Sequence, residues 1–305
     1  MLRFFLRRLL VAVPTLFLVI TLAFFMMRAA PGNPFETSRK LPPEILAHVE
    51  AEFGMNRPLG QQYVSYLAGV ARGDFGPSLK YQGKSVLDII AEGFPTSLTI
   101  GLSALVLGGL TGVALGVAAA LRQNRALDYW VMSGAILGVC IPSFVTAPLL
   151  RQGLASDLGL VPTGGLNGPI SLVLPVVVLA LPQIAIISRL TRAGMIEVLR
   201  SNYIRTARAK GLPERVVIGR HALRAALLPL VSYLGPACAG LITGSLVVEK
   251  IFNLPGLGKS FVLGALERDY TVVMGVIILY ATLIIALNLA ADMMLAALDP
   301  RVRLS

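Results

Sequence analysis

Residues 253–260 form the stretch whose spacing comes closest to a chemical site, because they read NLPGLGKS and end like a phosphate-binding loop. Such a loop needs a glycine where Asn253 stands, and it follows a β-strand. Here the segment follows a long apolar stretch and lies on the side that the charge distribution marks as external, away from ATP. We therefore expect no nucleotide site in this segment.

Other chemistry has little support in the residues. The sequence contains neither a GxSxG nor an HExxH motif. Cys140 and Cys238 lie in separate apolar stretches without CxxC spacing, and the two histidines, His48 and His221, are far apart in the sequence. We expect packing cysteines, no metal site, no disulfide and no catalysis by this chain.

The distribution of charge argues against a self-sufficient ion-driven transporter or channel. Transporters of the ion-driven kind place ionisable groups at bilayer depth, where they bind the coupling ion. Asp292 is the only charge embedded in a run of apolar residues, and it lies near the inner surface. We expect it to be solvated or paired with an arginine, so the energy for any transport comes from elsewhere.

Long apolar stretches dominate the chain, which is 55% apolar and 14% charged with a mean hydropathy of +0.76. A soluble domain keeps roughly a quarter of its residues charged. Six stretches without Asp, Glu, Lys or Arg have the length of a membrane-crossing helix: 9–27, 94–121, 129–150, 169–188, 225–248 and 271–291. Because lipid leaves the backbone no other partner, they predict an all-α integral membrane protein with six transmembrane helices. The alternative, a soluble helical bundle, needs polar faces that these stretches lack.

The basic residues fix the expected orientation. With a cytoplasmic amino terminus, the inner segments carry sixteen basic and four acidic residues, whereas the outer segments carry eleven of each. This asymmetry follows the positive-inside rule and places both termini in the cytoplasm. It also explains the net charge of +11 without nucleic acid as a partner. The first apolar stretch is too long for a cleaved signal peptide, so we expect it to be retained.

The six spans divide the chain into three parts. Residues 1–27 form the amino-terminal tail and first span, 28–93 a small external helical insertion, and 94–305 a core with five spans. Within the insertion, turn-forming residues separate expected short helices at 43–53, 61–71 and 85–91.

Small residues at four-residue spacing mark two of the spans. They are Gly108, Gly112 and Gly116 in the second span and Gly240 and Gly244 in the fifth. This spacing lets helix backbones approach closely in lipid, either within one chain or against a partner chain. Prolines inside several spans, Pro142 among them, favour kinked helices around a pathway, although membrane helices tolerate proline.

The most informative segment is the predicted cytoplasmic loop at residues 189–224. Ser201 or Asn202 is a suitable cap for a short helix beginning near Tyr203. Gly211 supplies a left-handed helix end, and Pro213 blocks further extension. The residues alone leave two interpretations open: a helix that enters a groove in a partner, or a basic helix lying on anionic lipid.

Residues 205–211, which read RTARAKG, resemble the EAA loop of the permease subunits of ATP-binding-cassette (ABC) importers, in the variant of the peptide and nickel family. Arg205 and Thr206 stand where the general motif has Glu and Ala, a departure usual in the peptide group. The opening residues 1–4 and 7–8 and five further segments resemble the B-type permease subunits of this family: 28–32, 73–76, 254–258, 268–270 and 299–301. Four stretches narrow the resemblance to the oligopeptide branch in Gram-negative bacteria: 14–17, 24–28, 41–44 and 74–78.

The resemblance implies a type I ABC importer permease fold in the bacterial inner membrane. It also implies a second homologous permease subunit, two cytoplasmic ATPase subunits that hold ATP and Mg, and a periplasmic peptide-binding protein; the chain itself would bind no cofactor and would contact only lipid besides these partners. Dipeptides, glutathione, murein peptides and nickel are the alternative cargoes. The ATPase-coupling loop includes Tyr203, with Thr206, Ala207 and Gly211 as the expected core of the contact. Arg205 and Arg208 are expected to flank that contact.

Overall fold

The computed structural model describes residues 2–29, 54–81, 83–244 and 246–298, and these residues contain no β-strand beyond an isolated bridge between Pro77 and Ser85. Thirteen α-helices follow one another along the described ranges: α1 (Leu2–Ala29), α2 (Leu59–Ala71), α3 (Val86–Leu121), α4 (Ala126–Cys140), α5 (Ser143–Leu150), α6 (Val173–Leu199), α7 (Asn202–Ala209), α8 (Glu214–Val216), α9 (Leu223–Ala226), α10 (Leu228–Gly244), α11 (Leu246–Ile251), α12 (Leu257–Glu267) and α13 (Tyr270–Leu298). This architecture confirms the predicted all-α fold. The predicted helix at 43–53 lies outside the described residues.

Five helical stretches are long and apolar enough to cross a membrane unaided, and a bent pair of helices is the sixth candidate. The five are α1, α3, α6 with the 3-10 turn before it, α10 continued by α11, and α13. They correspond to all of the predicted spans except the third.

The second span begins well before its apolar stretch. The Ser85 N–H donates to the Asp88 carboxylate at 2.9 Å, and the Asp88 N–H donates to Ser85 Oγ at 3.1 Å. This capping box satisfies two amides that a helix start leaves without partners. From Val86 the helix runs unbroken to Leu121. The short helix predicted at 85–91 is therefore the beginning of α3, and the predicted boundary after residue 93 falls inside a helix.

Helix α3 packs closely and in parallel against α6 through its glycines. A Cβ on Gly108 would lie 2.6 Å from Gln183 Cβ, one on Gly112 2.8 Å from Ile187 Cβ, and one on Gly116 2.6 Å from the Ser188 carbonyl oxygen. Residue numbers rise along both helices from one contact to the next, so the two helices run in the same direction. We call this contact the glycine seam; the neighbours that these three glycines approach closely lie within the chain.

The glycine seam predicts different outcomes for two neighbouring substitutions. Gly116→Ala should destabilise the protein by about 1–3 kcal/mol, because the new methyl meets backbone that cannot move aside. Gly109, in the same helix, has no atom within 4 Å of the position that a methyl group would take. Gly109→Ala should therefore leave the thermal midpoint of the purified protein unchanged or slightly raised. Equal midpoints for the two variants would contradict the seam.

The third predicted span is not one straight helix. Helix α4 and the stretch Ser143–Asp157 are bent by 102° at their junction. Ile141 is extended there, with ψ 113°, and Pro142 follows it. Proline disfavours the helical conformation in the residue before it and removes a backbone donor, so the helix ends and restarts. The sequence predicts one span at 129–150 with a kink favoured at Pro142, and the structure shows that kink as a break between two helices.

The bent pair nevertheless carries the chain across the membrane. Asp128, at the start of α4, pairs with Arg192 near the end of α6. Ala147 and Ala155, on the second half of the pair, lie in one buried cluster with Leu174 at the beginning of α6. The pair therefore runs opposite to α6 along its length. This return is required, because α3 and α6 are parallel, and it makes the bent pair the sixth crossing.

The first and last spans are antiparallel and bring the two described ends of the chain to the same face. Arg8 Nη1 lies 3.0 Å from Asp292 Oδ2. At the opposite ends of these helices, Arg28 and Tyr270 line one cavity. An even number of crossings follows, in agreement with six. The ion pair also confirms the expectation that Asp292 is paired with an arginine.

Candidate coupling site

Helix α7 occupies the loop between α6 and α10, where the sequence predicts a short helix. Ser201 precedes it in an extended conformation, with ψ 155°. The sequence predicts Ser201 as one of two possible caps, but its hydroxyl does not cap the helix. Ser201 Oγ donates instead to the Val198 carbonyl at 2.6 Å. The hydroxyl thus fastens the turn to the end of α6, so that α7 follows α6 through a short, defined connection.

One face of α7 is buried against the chain itself. Ile204 is fully buried and Ala207 is 7% exposed. Both lie in an apolar cluster with Met195 of α6 and with Val217 and Ala222, which follow α7 in the chain. Ala207, predicted in the core of the coupling contact, therefore seats the helix on its own protein. The cluster makes α7 a rigid extension of α6.

The opposite face of α7 is exposed and combines an aromatic, a basic and a small polar side chain. Tyr203, Arg205 and Thr206 are all exposed. Thr206 Oγ1 donates to the Asn202 carbonyl at 3.1 Å, which turns the hydroxyl back onto the helix and leaves its methyl outward. This face is available to a partner without any rearrangement of the helix.

A tight turn ends α7 as predicted. Gly211 has φ +74°, and its N–H donates to the Arg208 carbonyl at 2.9 Å. No atom lies within 4 Å of the position that a Cβ would take at Gly211. The requirement for glycine here thus comes from the left-handed backbone and not from crowding.

An ion pair braces the turn. Arg208 Nε donates to Glu214 Oε1 at 2.7 Å, and Arg208 Nη2 donates to Glu214 Oε2 at 3.3 Å. These hydrogen bonds raise the pKa of Arg208, so it is charged throughout the physiological range. Arg205 has no such partner among the described residues. Of the two arginines predicted to flank a contact, Arg205 is the one free to meet an acidic group.

A second ion pair holds the base of the loop, and the sequence analysis missed it. Asp128 is 1% exposed and receives two hydrogen bonds from the Arg192 guanidinium, one of them at 2.7 Å. The Asn124 N–H donates to the same carboxylate at 2.9 Å. The pair joins the start of α4 to the end of α6. Its members are 64 residues apart, and only their opposite charges on the inner side could have suggested it.

A buried carboxylate near the opposite end of the helices was also missed. Glu249 of α11 is fully buried, accepts a hydrogen bond from Ser97 Oγ at 2.6 Å and another from the Gly258 N–H at 2.8 Å. The expectation that Asp292 is the only embedded charge was therefore wrong. Glu249 follows its apolar stretch by one residue, so it read as the beginning of a loop.

Two segments that carry the family resemblance meet at this outer end. Asp269 is fully buried, and it accepts hydrogen bonds from the Ser78 hydroxyl at 2.5 Å and from the Leu79 N–H at 3.2 Å. Thr271 Oγ1 donates to the Pro77 carbonyl at 2.8 Å. These bonds dock the end of the insertion on the start of α13. Within 253–260, Gly256 and Gly258 pack on the Glu249 carboxylate.

The remaining predicted residues lie on α10. The Cβ position of Gly240 has no neighbour within 4 Å, so this residue is on an open face of the helix. Gly244 is the last residue of α10. Packing of this face against a second chain remains a prediction.

Solved structures define the class of the fold. A chain of the methionine ABC transporter MetNI in an inward-facing conformation matches with a TM-score of 0.57 at 18% identity, over 70% of this chain and 97% of that one. A chain of an amino acid ABC transporter crystallised with histidines matches with a TM-score of 0.53, also at 18% identity, over 70% of this chain and 94% of that one. The fold is therefore that of an ABC importer permease, as predicted.

Sequence comparison defines the family. The family model of the binding-protein-dependent transport system inner membrane component matches residues 112–304, and its amino-terminal companion matches residues 1–101. The chain belongs to this family of membrane permeases, as its EAA-like loop predicted.

Curated relatives match over the whole chain. The oligopeptide transport system permease protein OppB of Salmonella typhimurium is 54% identical over 99% of this chain and 100% of its own length. The protein of the same name from Escherichia coli K12 has the same identity and coverage. The dipeptide transport system permease protein DppB of Bacillus subtilis is 43% identical over 100% of this chain and 99% of its own length.

Proposed function

We propose that this chain is one of two different transmembrane subunits of an ATP-driven importer of oligopeptides. The proposed cargo rests on the difference in sequence identity: 54% to oligopeptide permeases and 43% to a dipeptide permease, each over nearly full length. A binding protein outside the inner membrane delivers the peptide, and two ATPase subunits on the cytoplasmic side hold ATP and Mg. Both termini are cytoplasmic, as the excess of basic residues on that side supports.

In this proposal α7 is the element that docks on an ATPase subunit. Its exposed face, with Tyr203, Arg205 and Thr206, makes the contact, and the turn at Gly211 sets the angle at which the helix enters the groove. The buried face also supports the proposal, because Ile204 and Ala207 fix α7 to α6. A displacement of α7 therefore moves α6 and, through the glycine seam, α3.

Deletion of this gene alone tests the cargo. We expect uptake of labelled tri- and pentapeptides to be lost and to return with the wild-type gene, whereas dipeptide and nickel uptake persist. Loss confined to dipeptides or nickel would keep the permease and replace the cargo. Unchanged uptake of every compound would reject all of these cargoes.

A further inference from the structure

A shallow cavity of about 340 Å³ lies beside the coupling helix, and the proposed docking contact does not use most of its residues. We call it the basic shelf. It is lined by six residues: Tyr203, Arg220, His221, Arg224, Ala225 and Leu228. No carboxylate lines it, and none of its three basic side chains has an ion pair or a hydrogen bond to another described residue. The shelf thus brings hydrogen-bond donors together without a charged acceptor for them.

The donor set of the basic shelf matches a phosphate group. Two guanidinium groups each offer paired N–H donors in the geometry that phosphate oxygens accept. The imidazole of His221 and the phenol of Tyr203 add further donors. A cation would find no ligand here, because the described lining contains no carboxylate.

The position of the shelf identifies the source of the phosphate. Leu228 is the first residue of the span Leu228–Ile251, so the shelf lies at the end of a membrane-crossing helix. His221 and Arg224 line the same pocket as Leu228, although the three residues belong to successive short helical segments. Arginines at this depth lie beside lipid headgroups, and Ala225 and Leu228 give the shelf an apolar edge toward the acyl chains.

We propose that the basic shelf binds the headgroup of an anionic phospholipid. The headgroup phosphate is held between Arg220 and Arg224, with Tyr203 closing the site from α7. Bound lipid therefore connects the first turn of the coupling helix to the entrance of the fifth span. The site adds to the proposed coupling role without depending on it, because the shelf belongs to this chain alone.

The test compares two double variants that remove equal charge. Arg220→Gln with Arg224→Gln empties the shelf, whereas Arg122→Gln with Arg215→Gln removes two exposed arginines from the same side outside it. The full chain, purified with its partners, is titrated with phosphatidylglycerol and examined by native mass spectrometry. We expect the shelf variant to bind its tightest phosphatidylglycerol roughly tenfold more weakly, because two charge-assisted contacts are lost. The control variant should bind like the wild type, and phosphatidylcholine should not compete.

Four outcomes would overturn the proposal. These are wild-type lipid affinity in the shelf variant, an equal loss in the control variant, displacement of the lipid by equimolar glycerol phosphate, and normal lipid binding with selective loss of the ATPase subunits. The third would assign the site to soluble phosphates, and the fourth would assign it to an acidic surface of the ATPase. If the double variant fails to assemble, the single variants Arg220→Gln and Arg224→Gln replace it, each with a smaller expected loss of lipid affinity.

Discussion

Gly211→Val is expected to lower peptide uptake strongly while the importer still assembles and hydrolyses ATP. The residue has φ +74°, a conformation that costs an L-residue about 1–2 kcal/mol and a β-branched one more. The last turn of α7 is expected to relieve this strain by unwinding, which changes the surface that the proposed docking contact uses. We expect transport to fall by a factor of about ten or more, as this energy implies. Uptake of labelled peptide and ATP hydrolysis are measured together in proteoliposomes.

A series of residues at this position separates backbone strain from loss of space. Asparagine tolerates the left-handed conformation better than alanine, and alanine better than valine. Transport should therefore decline from Gly211 through Gly211→Asn and Gly211→Ala to Gly211→Val. Gly219→Val is the matched control, since its Cβ position is equally open and its φ is not left-handed. Normal transport by Gly211→Val would show that the coupling assignment is wrong.

Arg192→Met is expected to give the largest loss of stability of the changes considered. It leaves the Asp128 carboxylate, 1% exposed, without its charged partner. Breaking a buried ion pair on one side destabilises a protein by about 3–5 kcal/mol, because the remaining charge has lost its compensation. The thermal midpoint of the purified complex measures the effect. Because the pair fixes α4 to the end of α6, transport should be lost as well.

Two comparisons make this prediction specific. Arg192→Met combined with Asp128→Leu removes both charges and should recover most of the lost stability. Lys84→Met breaks an ion pair whose members are 44% and 63% exposed, and it should change stability by less than about 1 kcal/mol. A double variant no more stable than Arg192→Met alone would mean that the pair has another role than charge compensation.

Local features of the sequence predicted most of the helices. Apolar length is a property of neighbouring residues, and it located five spans that the structure contains as separate helical stretches. The signal for the end of α7 was equally local, since Gly211 and Pro213 both act within one turn of the helix end. The Ser201 hydroxyl was harder to predict, because a cap and a bond back to the preceding carbonyl are both available to a serine at that position.

The bend in the third span illustrates why proline alone is a weak signal. Pro95, Pro182 and Pro236 lie inside unbroken helices, whereas Pro142 follows Ile141, the residue that caps the end of α4. Neighbouring helices decide which proline interrupts a span, and a single sequence does not contain that information. The family resemblance carried the assignment of α7 further than its own amphipathic pattern, which also fitted a helix on lipid.

Contacts between distant residues lay beyond the reach of any pattern. Ser97 and Glu249 are 152 residues apart, and Ser78 and Asp269 are 191 apart. Ser97, Glu249 and Asp269 each read as an ordinary polar residue near the end of an apolar stretch, and Ser78 reads as part of a turn. Their significance arises only when the spans pack, which is why the outer end of the protein was the least well predicted part.

The bend between α4 and α5 has a further consequence for the environment of the third span. A helix end leaves carbonyl groups without an intrahelical donor, and the next helix start leaves free amides. Hydrocarbon offers these groups no hydrogen-bond partner, so broken backbone at membrane depth occurs only beside protein or water. Cys140 and Ile141 are exposed on the surface of this chain at the bend. Water in a hydrated passage or another subunit, and not lipid, must therefore cover the protein at this bend.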